Sequence, residues 1–250
     1  MGTLVTMKWK GVSSQEGAIR LMKPENLKSL LKKFDCFSTL TEKELAVYEQ
    51  YAYWRKYQKG QLLFSEGDPR EKIYFLMEGY VKLHKENESA TLSYNHFIGP
   101  NNVFPIEGLF SSETYIYSAK AVTDITLVYI PAALFEDLIR HNARQLVLIL
   151  QSYSRTLELH EARLQLLTNA TAQDRVVHII HYLMESVGDK REDKIIINCP
   201  LTSTDLAEIS GTSRKTVSDV IKQLKDNRIL TFDHKTITIH KPDYLEKSAL

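Results

Sequence analysis

Cysteine is nearly absent from this chain: two occur in 250 residues, Cys36 and Cys199. On that count one chain builds neither a disulfide framework nor a four-cysteine metal module. A reducing, cytoplasmic setting is therefore expected. No apolar run approaches the roughly 20 residues that a membrane span needs. The longest, Leu146-Val147-Leu148-Ile149-Leu150, is flanked by Arg144, Gln145 and Gln151. No membrane partner is expected. Net charge is also missing. Lys and Arg number 32, Asp and Glu 31, and the formal charge is +1. Any anionic partner must then be met by a local patch. Residues 1–22 carry no secretory apolar core and read as an N-terminal tail. Their Met1-Gly2 start with Thr6 fits a myristoylation pattern too loose to carry weight. No phosphate-binding glycine loop, metal triad or nucleophile elbow appears. Catalytic residues, an enzymatic role, a metal and a cofactor are accordingly not expected.

What is present is core material. Hydrophobic residues make up 43 %, with thirteen Tyr, nine Phe and two Trp. That excludes disorder throughout and suits one large or two small domains. Helical spacing comes first: Leu27, Leu30, Leu31 and Phe34 share a face, and Thr41 with Glu44 forms a capping box. Short β-rich runs follow (61–64, 73–77, 80–84, 91–97, 118–121, 126–130), separated by glycine turns. Many short strands at this spacing predict a sandwich or jelly roll.

After Pro131 comes a short helix, then a long one over residues 142–168. Leu146, Leu150, Tyr153, Leu157, His160, Leu164 and Leu167 repeat every three or four residues. That is an a/d seam, which predicts a parallel helix–helix dimer. A helix over 172–187 buries Val176, Ile179, Ile180, Leu183 and Val187. It places His178 and His181 on its polar side. A charged loop (188–194) and a strand (195–199) lead to the most informative segment.

Residues 202–230 read as two short helices joined by a tight corner. Thr202 caps the first, with Asp205 closing the box. Ser210-Gly211-Thr212 is the corner, where Gly211 supplies a positive φ. Ser213 caps the second helix, which buries Val217, Val220, Ile221 and Leu224. Arg214, Lys215, Ser218, Asp219 and Lys222 form its outer face. Such a helix enters a major groove with its N-terminal residues at the base edges. Arg214 suits the O6/N7 pair of guanine. Ser213 and Thr216 offer hydroxyls to phosphate at the helix N-terminus. Between Gly211 and Arg228 five basic residues face two acidic ones. This is the local patch that the overall charge conceals. A hairpin (229–232 and 236–240) then forms a wing. The expected DNA-facing set is Thr202, Ser213, Arg214, Lys215, Thr216, Ser218, Asp219 and Lys222.

The arrangement resembles the cyclic-AMP receptor/Fnr (Crp–Fnr) family of bacterial transcription regulators. In the first half the likeness rests on Lys59-Gly60-Gln61-Leu62-Leu63-Phe64, Glu66-Gly67-Asp68, Ile73-Tyr74-Phe75-Leu76-Met77-Glu78-Gly79-Tyr80-Val81-Lys82-Leu83 and Gly108-Leu109-Phe110. In the second it rests on Leu206-Ala207-Glu208-Ile209-Ser210-Gly211-Thr212-Ser213-Arg214-Lys215-Thr216-Val217-Ser218. The stretch 102–110 also resembles Gram-positive regulators of the arginine-deiminase and virulence branches. The resemblance implies an α+β fold: an N-terminal tail (1–22), a cyclic-nucleotide-binding-like β-roll or jelly roll (23–133), a dimerisation helix (134–169) and a winged helix-turn-helix (170–250). It implies a homodimer on a two-fold-related DNA site, with RNA polymerase as a candidate further partner and an effector that stays unnamed.

Three departures qualify that picture. The family's Gly-Glu pair for a ribose falls on Pro105 and Ile106. Its Arg-Ser pair for a cyclic phosphate falls near Tyr115 and Ile116, so control by cyclic AMP is not expected. Two cysteines in different domains exclude an intrachain iron–sulfur cluster. Cys36 stays a redox candidate beside the plainer reading of a buried, inert thiol. Lys215 and Asp219 replace residues that the family often presents to bases, so its usual operator is not assumed. The alternative function is a small-ligand or protein-interaction module with a vestigial helix-turn-helix.

Overall fold

The computed structural model describes residues 26–86, 93–169, 171–233 and 235–248. The expected tail (1–22), the start of the strand expected at 91, and His234 in the wing lie outside them. Helix α1 (Leu27–Leu31), a 3-10 turn (Asp35–Phe37) and α2 (Glu42–Gln50) come first. The Thr41–Glu44 capping box is formed, with the Thr41 N–H donating to Glu44 at 2.7 Å.

Eight strands follow: β1 (Tyr53–Tyr57), β2 (Leu62–Phe64), β3 (Lys72–Glu78), β4 (Val81–Glu86), β5 (Ser93–Ile98), β6 (Val103–Phe104), β7 (Ser118–Ala121) and β8 (Ile125–Pro131). They form two antiparallel sheets, β1-β8-β3-β6 and β2-β7-β4-β5. Alternation along β3 and β8 explains the layering. Ile73, Phe75, Val128 and Ile130 pack against Phe34, Phe37 and Phe135. Tyr74, Leu76, Ile125 and Leu127 face the second sheet, against Phe64, Val81, Leu83 and Ala119. The expected jelly roll is thus present. Strands β1 and β6 escaped sequence reading. β1 is an edge strand, Tyr-Trp-Arg-Lys-Tyr, with no residue fully buried, and β6 spans two residues.

Helices α3 (Ala132–Arg140), α4 (Ala143–Asn169) and α5 (Ala172–Val187) come next. α4 lies along the β-roll. Its Gln145 is buried and accepts from the Tyr48 hydroxyl at 2.6 Å, Ile149 is buried, and Arg155 pairs with Asp35 at 3.2 Å. Its outer side is apolar and open: Leu150 is 57 % exposed, Leu157 50 %, Leu164 63 % and Tyr153 45 %. Two predicted seam positions behave differently. Leu146 is half-buried, and the His160 ring meets the Tyr94 hydroxyl at 3.1 Å and lies 5.6 Å from the His96 ring. Position 160 therefore turns towards its own β-roll. A seam written on a 3.5-residue repeat drifts by about 20° per heptad on a 3.6-residue helix. The side chain of Leu167 lies outside the described residues.

The chain ends with β9 (Asp189–Arg191), β10 (Lys194–Ile197), α6 (Ser203–Ser210), α7 (Arg214–Asp226), β11 (Leu230–Phe232), β12 (Ile237–Ile239) and α8 (Pro242–Ser248). Two sequence expectations are corrected here. The charged stretch 188–194 is a hairpin rather than a loop, because β9 pairs with β10 in a sheet ordered β11-β12-β10-β9. Gly188 starts it because a Cβ would collide with the Met184 carbonyl. His178 is not on a polar side: it is 8 % exposed. α5 packs against α4, α6, α7, α8 and β5, so its buried surface is far wider than one stripe. Burial lowers the His178 pKa. Among the described residues no helix is long and apolar enough to cross a membrane.

Candidate nucleic-acid interface

Helix α6 starts at the Thr202 cap. The Thr202 hydroxyl donates to Asp205 at 2.6 Å, and the Asp205 N–H donates back to it at 3.1 Å. α6 stops at Gly211, whose φ of 58° and ψ of 39° are left-handed, the conformation that glycine adopts without steric cost. Ser210 is fully buried and donates to the Leu206 carbonyl at 2.6 Å. Two residues after Gly211, Ser213 caps α7 by accepting from the Thr216 N–H at 3.1 Å. Its hydroxyl also meets that of Thr216 at 2.9 Å.

The inward face of α7 is Val217, Val220, Ile221 and Leu224, all buried in one core with Leu206 and Ile209. This anchors the helix and turns its other face outward. Ser213, Arg214, Lys215, Ser218, Asp219 and Lys222 are exposed, and Thr216 is half-buried. The Ser218 hydroxyl donates to the Arg214 carbonyl at 2.9 Å and keeps its lone pairs for a ligand. The first turn of α7 holds no acidic residue, so no carboxylate there offsets the positive helix end beside Arg214. Thr202 is exposed as well, but it caps α6 rather than α7, with its hydroxyl donating to Asp205. The wing closes through Asp233, whose carboxylate accepts from the Lys235 and Thr236 N–H groups at 2.8 Å each.

Four side chains that sequence reading missed hold this unit in place. Arg175 on α5 donates to the Ser210 and Gly211 carbonyls at 3.1 and 3.2 Å. Lys82 on β4 pairs with Asp205 at 3.4 Å and Glu208 at 3.5 Å. Asn95 donates to Glu208 at 3.1 Å, and the His96 ring meets the Tyr182 hydroxyl. These partners lie 35 to 126 residues apart, and no local pattern announces them.

Between the β-roll and α4 lies a cavity of about 110 Å³, lined among others by Cys36, His96, Ile106, Glu107, Ser152 and Thr156. Burial raises the Glu107 pKa against the lowering effect of its own and the Ile106 N–H groups. Burial, then the neighbouring Asp35, pushes the Cys36 thiol far up, so little thiolate forms there. Tyr115 is core: its ring stacks on Phe64 at 3.8 Å, and its hydroxyl donates to the Lys72 carbonyl at 3.0 Å. Arg70 is committed to Glu136 and, at 2.9 Å, to the Ser112 carbonyl. Among the described residues no three His, Cys, Asp or Glu side chains gather into a metal site.

Comparison with known proteins agrees with this anatomy. Residues 54–142 match the model of the cyclic nucleotide-binding domain, and residues 174–248 that of the Crp-like helix-turn-helix domain. The HTH-type transcriptional regulator ArcR of Staphylococcus aureus (strain Newman) is 27 % identical over 197 residues, covering 79 % of this chain and 84 % of that protein. In fold the chain is similar to FixK2 from Bradyrhizobium japonicum (TM-score 0.67, 21 % identity, 78 % of this chain and 96 % of that one). It is also similar to a CooA mutant from Carboxydothermus hydrogenoformans (TM-score 0.62, 17 % identity, 80 % and 89 %). With its β-roll, long helix and Crp-like helix-turn-helix in this order, the chain belongs to the Crp–Fnr family of transcription regulators.

Proposed function

We propose that this regulator acts in the cytoplasm as a homodimer that reads a two-fold-related DNA site through α7 and is not controlled by cyclic AMP. The observation that carries the DNA reading is the amino end of α7: an Ser213 cap, an exposed Arg214 and Lys215, and no first-turn carboxylate. The dimer reading is supported by the apolar line Leu150, Leu157 and Leu164 along α4, which faces solvent in the single chain. Two parallel copies of α4 would bury that line and set the half-sites about one helical turn apart. RNA polymerase as a further partner rests on the family resemblance alone.

Independence from cyclic AMP is supported by the wall a cyclic phosphate would meet. Ile106 lines the cavity, and Tyr115 is stacked into the core where a guanidinium would be needed. Glu107, a lining carboxyl one residue beyond the position where the family binds a ribose, is held towards its neutral form by burial. Two measurements test the proposal. Selection from a random duplex library, followed by gel shift, should enrich a two-fold-related sequence bound far better than random duplex. Calorimetry with cyclic AMP and cyclic GMP should show no micromolar isotherm. No enriched duplex would favour a sensor module with a vestigial helix-turn-helix, and a saturable isotherm would overturn the nucleotide reading.

A further inference from the structure

Arg175 bridges two elements that the DNA reading treats separately. It lies in the first turn of α5, one residue beyond the Thr171–Asp174 capping box. Its Nε donates to the Ser210 carbonyl at 3.1 Å and its Nη2 to the Gly211 carbonyl at 3.2 Å. Those carbonyls sit at the C-terminal end of α6, where the helix leaves acceptors without intrahelical donors and carries its negative pole. A rigid, forked cation fits two adjacent carbonyls in a way a single ammonium does not. The base of the fork is fixed, because the flanking α5 residues Val176, Ile179 and Ile180 are buried in the same core as Ile209 and Val217. The corner that Arg175 grips passes within three residues to Arg214.

We infer that Arg175 is a positioning residue for base reading: by holding the Ser210-Gly211 corner it sets where the amino end of α7, and with it Arg214, enters the groove. The inference rests on the proposed DNA reading. Base-edge hydrogen bonds demand short, directed geometry, whereas phosphate attraction falls off slowly over a Debye length. A corner released by a few tenths of an ångström therefore costs specific binding more than non-specific binding.

The test uses the full-length protein, the duplex it enriches from a random library, and a random duplex, each titrated at several salt concentrations. Arg175→Gln should lower the ratio of specific to random affinity about tenfold, a part of what one bidentate base contact is worth. Its salt slope should not change. Arg175→Lys, which serves one carbonyl, should restore part of the ratio. In an Arg214→Ala background Arg175→Gln should have no further effect on the ratio. Val177→Ala, which trims packing on the same helix, should lower Tm and leave the ratio alone. Equal losses on both duplexes that follow Tm would make Arg175 a structural staple only. Equal losses with a salt slope reduced by about one would make it a phosphate contact. Either result, or an unchanged ratio, overturns the inference. A wild-type protein that does not discriminate the two duplexes overturns the DNA reading and this inference with it.

Discussion

Glu107 faces the cavity of the β-roll with a carboxyl whose pKa is raised by burial. A carboxyl with a raised folded pKa favours the folded state below its unfolded value, here 4.5, and loses that advantage as pH rises through the folded pKa. At neutral pH the charged form is thus a burden on the fold. Glu107→Gln should raise Tm at pH 7.5, and the gain should vanish below pH 4.5. Thermal unfolding across that range checks it, and a gain independent of pH would point to packing instead. On α7 the roles differ by position. Arg214→Ala should cost about 1–3 kcal/mol on the enriched duplex and less on random DNA. Lys222 is exposed more than two turns further along. Lys222→Ala should weaken both duplexes alike and lower the salt slope by roughly one. Equal losses for Arg214→Ala would make that residue a phosphate contact and leave base reading to Lys215 and Asp219.

Among the elements, α4 carries the dimer proposal. Each leucine of its open line is already partly covered, and would contribute at most about 1.5–3 kcal/mol on full burial, which favours pairing of two such helices. Replacing Leu150 and Leu157 with Lys puts four charges into the seam of a dimer. Sedimentation should then show monomer with the circular dichroism of the folded chain, and a variant that stays dimeric would sink the seam. The elements also show what a sequence makes legible. The Thr41, Thr171, Thr202 and Ser213 caps involve partners three residues away. The predicted boxes at Thr41 and Thr202, the Ser213 cap and the Gly211 corner are therefore readable from the chain alone. β1 and β6 were not, because an edge strand with charged residues and a two-residue strand exist only through their neighbours β8 and β3. His178 was misplaced for the same reason: one apolar stripe was visible, but α5 is covered on several sides.

At the scale of the whole molecule, β4 and β5 connect the two halves. Leu83, His96 and Ile98 line the cavity, while Lys82 and Asn95 reach α6 and His96 also meets Tyr182 on α5. Tyr182→Phe removes only the hydroxyl at this junction, and Lys82→Met releases Asp205 and Glu208. Each should cost about 1 kcal/mol of net hydrogen-bond or ion-pair stability, concentrated at the junction. Hydrogen exchange should quicken in α5 and α6 and stay unchanged in β3. Exchange that rises uniformly, or not at all, would show that these contacts do not hold the halves together.

Local chemistry was decided by the sequence alone. The order of jelly roll, long helix and winged helix-turn-helix follows from hydrophobic periods, caps and turn glycines, all of which act within one element. The outward face of α7 follows too, since its apolar stripe leaves Arg214, Lys215 and Lys222 only one side. Tertiary structure alone decided which elements meet. It set Arg175 on the corner of α6, Lys82 against Asp205, His160 towards Tyr94 rather than along the seam, and Tyr115 into the core. Such contacts join residues 35 to 123 positions apart. They arise only when packing brings two finished elements together, so no period or spacing along the chain encodes them.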